Sequence, residues 1–235
     1  MRVRRVVTTR AGGRSTGPFA RFNLSVGVGD DPLAVAANRR RLATELGVRG
    51  VVFLDQVHGT GVAVVDAVPG PRDRDRPASD AAVTALPGVA LAVLTADCVP
   101  VLLADPAGRV AAVAHAGRRG LLAGVLAEVV AAMAAAGARP DRVRAVIGPA
   151  AGACCYEVPA DLQEEAVAVL PAARATTTWG TPSLDLRAGA AAQLRALGVA
   201  DVASAGGCTV EDTALYSYRR SRVTGRFAGV VVLAP

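Results

Sequence analysis

Between residues 80 and 116 four apolar runs follow one another almost without pause: DAAVTAL, VALAVLTA, VPVLLA and RVAAVAH. LPG separates the first from the second and DPAG the third from the fourth, and both are turn signals. The runs are rich in Val, Ala and Leu and of strand length. They read as core strands, and a chain carrying four of them in succession is committed to a sheet. Helical patterns lie on either side. Asp30 or Asp31 caps a helix with Pro32 in its first turn and Gly47 past its end, with Val35, Leu42 and Leu46 on one face. Another helix is expected from Leu121 to Ala136, with Leu122, Val125, Leu126, Val129 and Met133 as its buried stripe. Residues 160–170 and 184–197 also read as helices, and VRAVIG, ADVASA, FAGVVVLA and residues 2–9 as strands, with VVFLDQV and GVAVVDA as two more. Strands come in runs, with helices between the runs. That pattern predicts an α+β fold, a layered α/β sandwich of mixed, largely antiparallel sheets, in one domain spanning residues 1–235.

The same stretch holds chemistry. The chain has two histidines, His58 and His115, and four cysteines, Cys98, Cys154, Cys155 and Cys208. A two-residue loop of Pro106 and Ala107 would carry Cys98 directly opposite His115, with their Cβ atoms roughly 4.5–5.5 Å apart. A three-residue loop with Gly108 as a bulge fits the same four residues. It shifts the register by one and turns His115 to the other face, unless a second bulge at Pro100 restores it. QVHGTG places His58 at a strand end beside glycines, and HAGRRG puts Gly117 and Gly120 around Arg118 and Arg119 where a strand becomes a helix. One Cys and two His on three strand ends suit a three-ligand zinc site with an open fourth position. Two hydrogen-bonded histidines and a core thiol suit the same residues.

Composition narrows the classes. The net charge is +6 and every basic residue is Arg. These arginines are dispersed and aromatics are scarce, so a nucleic-acid partner is not expected. A small anionic substrate or simple solubility accounts for the charge. No apolar stretch is long enough and free enough of charge and breakers to span a membrane, and MRVRRVVTTR lacks a signal-peptide core, so a cytoplasmic location is expected. The cysteines are too few for a disulfide framework, and no CxxC occurs. PGPRDRDRPAS (69–79) is the most polar stretch, a solvated loop or an excursion over a site.

Several segments resemble the bacterial laccase-domain family, also known as the multicopper polyphenol oxidoreductase or purine nucleoside phosphorylase family. They are FNLSVGVGDD (22–31), QVHGTGV (56–62), SDAAVTALPGVALAVLTADCVPVLLADP (79–106), AVAHAGRRG (112–120), IGPAAGACCYEV (147–158), SLDLRAGAAAQLRALGV (183–199) and CTVEDTALYSYRR (208–220). The resemblance implies a single domain of mixed sheets with zinc held by His58, Cys98 and His115. It further implies phosphorolysis of adenosine, inosine, guanosine and methylthioadenosine, with adenosine deamination beside it and phosphate as co-substrate. Copper oxidase chemistry is disfavoured by ligand supply: a blue-copper centre wants His₂Cys and an axial Met, and the only methionines are Met1 and Met133.

In this reading Asp80 or Asp97 shuttles protons, although Asp80 equally suits a strand cap. Arg39, Arg119 and Arg219 hold phosphate, Asn23 and Ser25 donate to ribose or phosphate or else shape a turn, and Cys155 lines the site while Cys154 is structural. Arg118 stands where the family commonly has Trp, and Glu211 where it often has a further Cys. Two other readings remain: a metal-free cysteine hydrolase with Cys98 as nucleophile and His115 as base, and a zinc-stabilised nucleotide-binding module.

Overall fold

The computed structural model describes residues 2–68 and 78–234. Strand β5 (Val89–Thr95), β6 (Val99–Asp105), β7 (Val110–Ala116) and β12 (Phe227–Leu233) form the centre of the molecule. Almost every residue in them is buried on both faces, which explains why their sequences are nearly unbroken apolar runs.

Their alternation sorts side chains into three cores. Val89, Leu91 and Val93 of β5 and Val231 and Leu233 of β12 meet Leu102 and Ala104 of β6 and Ala111 and Val113 of β7 between two sheets. The opposite faces of β5 and β12, with Ala90, Ala92, Ala228, Val230 and Val232, pack on Leu42 and Leu46 of helix α1 (Pro32–Leu46). The opposite faces of β6 and β7, with Val101, Leu103, Ala112 and Ala114, pack on helices. The result is a four-layer α/β sandwich: α1, sheet, sheet, helices.

The first sheet runs β1 (Val3–Val7), β12, β5, β2 (Gly50–Phe53). The second runs β11 (Asp201–Ser204), β8 (Arg144–Ile147), β6, β7, β4 (Ala81–Thr84), β3 (Val62–Val65). Pairings inside the sheets are antiparallel; β2, β3 and β11 join three of the edges in parallel. A hairpin of β9 (Arg174–Thr176) and β10 (Pro182–Leu184) stands apart. The expected mixed, largely antiparallel architecture is what the chain adopts.

Two expectations are corrected. The DPAG connection is neither a two- nor a three-residue loop: Asp105 pairs with Val110, leaving Pro106 to Arg109 as four loop residues, Arg109 with φ 57°. His115 therefore faces Pro100, not Cys98. The slip is two residues, so Cys98 and His115 stay on the same face as diagonal neighbours. The helix expected over 121–136 starts earlier and is broken: α2 (Arg118–Ala123) ends at Gly124, whose φ of 99° suits only glycine, and α3 (Val125–Ala135) follows at a new angle. Helices α4 (Ala160–Val169) and α5 (Leu186–Ala196) lie where helical periodicity placed them. Asp31 caps α1 by accepting the Leu33 N–H. The polar stretch 69–79 falls, up to residue 77, outside the described residues. Among the described residues no helix is long and apolar enough to cross a membrane.

Candidate metal centre

The alternation that fills the inter-sheet core also builds the site at its mouth. Leu102 and Ala104 share their face of β6 with Cys98, just before the strand, and Ala111 and Val113 share theirs with His115. In β4, Ala82 faces the same layer, and Asp80 lies one alternation before it. Where the apolar pairs stop, this face carries Cys98, His115 and Asp80.

His58 comes from the loop between β2 and β3, with φ 61°. Two devices hold that loop. Gln56 bonds β5 twice at Leu94, Nε2 to its carbonyl at 2.8 Å and its N–H to Oε1 at 2.7 Å. Asp80, with no exposure, accepts the N–H groups of Val57 (3.2 Å), His58 (3.0 Å) and Gly59 (2.6 Å).

Asp80 also accepts from His115 Nδ1 at 2.7 Å. A carboxylate offers only acceptors, so a proton sits on Nδ1 and Nε2 is left as the ligand atom. The ligand atoms of His58, Cys98 and His115 lie within 4.8 Å of one another. Cys98 Sγ is 3.8 Å from His58 Nε2, and the two imidazoles meet edge to face at 4.8 Å. Burial raises the pKa of the Cys98 thiol, but hydrogen bonds from His115 and His58 outweigh it and bring the pKa down to about 6. Burial likewise opposes charge on His115, yet Asp80 and Cys98 raise its pKa to about 9. Asp80 is held below the usual carboxylate range: burial pushes it up, and His115 with the Gly59 and Val57 N–H groups pull it further down.

Gly117 completes the hollow. A Cβ there would lie 2.8 Å from His58 Cδ2, 3.2 Å from Cys98 Sγ and 3.6 Å from His115 Cε1. His115 is buried, Cys98 half-buried and His58 exposed, so the tripod opens to solvent on one side. A thiolate and two imidazoles at this spacing fit zinc, with bonds of about 2.3 Å to sulfur and 2.0–2.1 Å to nitrogen. Met133, buried in the helix-side core, is no axial ligand.

Asp97 has φ 99° and anchors the 208–220 segment: Oδ1 accepts the Thr209 hydroxyl and Oδ2 the Arg219 N–H, both at 2.6 Å. The Arg219 guanidinium donates to Glu157 O and lies 4.4 Å over Tyr156. Asn23 is fully buried; it donates to Ser25 O and Asp30 and accepts the N–H groups of Ser25 and Arg226. Ser25 Oγ accepts the Gly27 N–H. Arg39 donates to Leu24 O and stacks 3.9 Å over Phe53, with burial lowering its pKa to about 10. Arg118 is half-buried and Arg119 exposed. Cys155 belongs to a separate cluster with Cys154, Cys208 and Glu211.

Sequence reasoning missed Gln56, and it missed Arg226. Burial lowers the Arg226 pKa against the opposing charges of Cys98, Asp97 and Tyr218, and its guanidinium donates to Thr224 O and Gly225 O. Its position, just before the strand-like FAGVVVLA run, was the available signal.

A family described as multi-copper polyphenol oxidoreductase laccase matches residues 4–234. A Streptomyces coelicolor protein named purine nucleoside phosphorylase is 57% identical over 228 residues, covering 96% of this chain and 93% of its own. A Mycobacterium tuberculosis protein of the same name is 51% identical over 233 residues, covering 98% and 92%. A crystal structure of a Neisseria meningitidis protein superposes with a TM-score of 0.86 at 38% identity, covering 99% of this chain and 95% of that one.

Proposed function

The chain belongs to the multi-copper polyphenol oxidoreductase laccase family, and from that premise we propose that it is a zinc-dependent purine nucleoside phosphorylase working at His58, Cys98 and His115. Methylthioadenosine phosphorolysis and adenosine deamination complete the proposed activity. The convergence of three ligand atoms within 4.8 Å around the hollow left by Gly117 carries this reading. The names of the Streptomyces and Mycobacterium relatives supply the substrate class. One thiolate and two imidazoles, with Met133 buried in the helix-side core, make a zinc set rather than a blue-copper one.

When bound, zinc supplies Lewis acidity at the mouth of the inter-sheet layer. The chain does the rest. Asp80 fixes the His115 proton at Nδ1 and so orients Nε2. It also sets the His58 loop through three N–H groups, which makes it a positioning residue. Asp97 stands beside Cys98 and is assigned the proton relay, with Thr209 orienting its carboxylate. Arg226, Arg219 and Arg119 are the cations assigned to phosphate; the charges of Cys98 and Asp97 act on Arg226. Asn23, Ser25 and Arg39 shape the wall that holds Arg226 and Leu24 in place.

Purified protein given adenosine with and without inorganic phosphate tests the reading, with inosine, adenine and hypoxanthine measured separately. Adenine formed only with phosphate marks phosphorolysis, and inosine formed without it marks deamination. A zinc-loaded protein that yields no product from adenosine, inosine, guanosine or methylthioadenosine overturns the proposal and leaves a zinc-stabilised binding module.

One observation favours a second reading. Cys98, His115 and Asp80 form a nucleophile–base–orienter line, with the thiol drawn down to about 6. A cysteine hydrolase would use that line without metal. Protein isolated free of metal, with Cys98 alkylated faster than the other thiols, would support it.

A further inference from the structure

A second constellation lies outside the tripod. Cys154, Cys155, Cys208 and Glu211 bring their ligand atoms within 4.8 Å of one another. Cys154 Sγ is 2.9 Å from Cys155 Sγ and 3.5 Å from Glu211 Oε2, and the Gly152 N–H points at Cys208 Sγ at 3.2 Å. The three cysteines are half-buried and Glu211 is exposed. A Cβ on Gly152 would lie 3.3 Å from Cys154 Sγ and 3.4 Å from Cys208 Sγ, so glycine keeps room beside the sulfurs.

We propose that Cys154, Cys155, Cys208 and Glu211 form a second, structural metal site that takes one thiophilic cation. Among the described residues no cation forms a hydrogen bond or ion pair with these three sulfurs and the carboxylate, and as thiolates the sulfurs would repel. A thiophilic ion with bonds of about 2.3 Å to sulfur removes that repulsion and sets tetrahedral sulfurs roughly 3.8 Å apart. Cys154 and Cys155 need to open by about 1 Å to reach that separation. Four protein donors leave no open corner, which is the pattern of a structural site and not a catalytic one.

The position gives the ion work. Ala150 and Cys208 form a parallel bridge, and Thr209 N–H donates to Ala150 O. Thr209 Oγ1 then holds Asp97 Oδ1, and the Ala151 N–H holds the Asp97 carbonyl. Asp97 precedes the tripod ligand Cys98. An ion at the cluster clamps together the two loops that grip Asp97, and so steadies the first site from behind.

The test strips the full-length protein of metal in a reducing buffer, reloads it with zinc(II) or copper(I) in separate arms, and counts bound metal per chain. Wild-type protein is expected to bind two ions, Cys98→Ser one and Cys208→Ser one. The Cys98/Cys208 double variant is expected to bind none. The arm that fills the Cys98→Ser protein at the lower free-metal concentration identifies the occupant. Retention of the tripod ion reports that Cys208→Ser is folded; should it misfold, Glu211→Gln keeps the tripod ion and is expected to weaken the second site at least tenfold. A Cys98→Ser protein that binds no ion overturns the proposal while leaving the tripod standing. So does a Cys208→Ser protein that binds as many ions as the wild type. Protein in which Cys154 and Cys155 resist reduction as a disulfide and no second ion enters also overturns it.

Discussion

Asp80 has no exposed surface, yet four donors converge on its two oxygens. A buried carboxylate costs several kcal/mol unless fully paired, so here its value lies in what it orders: the His58 loop and the His115 ring. Asp80→Asn keeps the shape but leaves one oxygen where there were two. The expected outcome is a 10–100-fold loss of zinc affinity, read by competition with a chromophoric chelator, with a stability loss of about 2–3 kcal/mol. Gly117 offers the converse case. Its φ of −70° is open to alanine, so Gly117→Ala strains no backbone. The new methyl, however, falls against His58 and Cys98. That variant is expected to keep the melting temperature of the metal-free wild type to within about 3 °C, roughly 1 kcal/mol for a chain of this size, while losing metal and nucleoside turnover. Equal losses of fold and function would show that the hollow is packing space and not a site.

The turn between β6 and β7 shows how an element is secured and why its register escaped the sequence. Asp105 is fully buried at the turn and accepts from Ala107, Gly108 and Arg139 N–H groups, with Arg142 at 3.4 Å. Burial pushes its pKa up, but the Gly108 and Arg139 N–H groups and the Arg142 charge bring it below its ordinary 3.8. A depressed carboxylate stabilises the fold fully above its unfolded value, and that contribution disappears as pH falls through the folded value. Urea unfolding of Asp105→Asn should show a deficit of about 2 kcal/mol at pH 7 that closes at acid pH. A deficit of the same size at pH 3 would place its origin in shape alone. The side chain that ties this turn also reaches Arg139, far along the chain. Local turn signals in DPAG could not report that contact, so they could not choose the four-residue loop. The strands themselves were legible because burial on both faces demands continuous apolar runs. The break at Gly124 was not, since a single glycine inside a helical stripe leaves the periodicity intact.

At the scale of the molecule, the two sheets enclose an apolar layer and the tripod closes its mouth. In the sequence His58 and His115 stood out because each ends an apolar run near a glycine, and Cys98 because it precedes one. What the sequence hid was the geometry behind them: the face shared by Asp80, Cys98 and His115 follows from strand pairings that span the sheet. Gln56 was hidden for the same reason, as its partner lies at Leu94, and so was Arg226, whose N–H is held by Asn23 from the far end of the chain. The loops bearing Cys98 and His58 meet the β7 end where no ladder bond joins all three. An ion shared by the tripod therefore cross-links segments from both sheets in the folded state only. Binding to the native state alone stabilises by mass action, about 2.7 kcal/mol at a free-metal concentration 100 times the Kd. For a chain of this length each kcal/mol moves the melting temperature by roughly 2–4 °C. Chelation of the zinc-loaded protein is expected to lower the melting temperature by about 5–11 °C, reversibly on zinc addition. The Cys98→Ser protein should lack the tripod's share of that shift. A wild-type protein whose melting point ignores both chelator and added zinc would leave the mouth of the layer held by Asp80 and Gln56 alone, and the tripod with no ion to share.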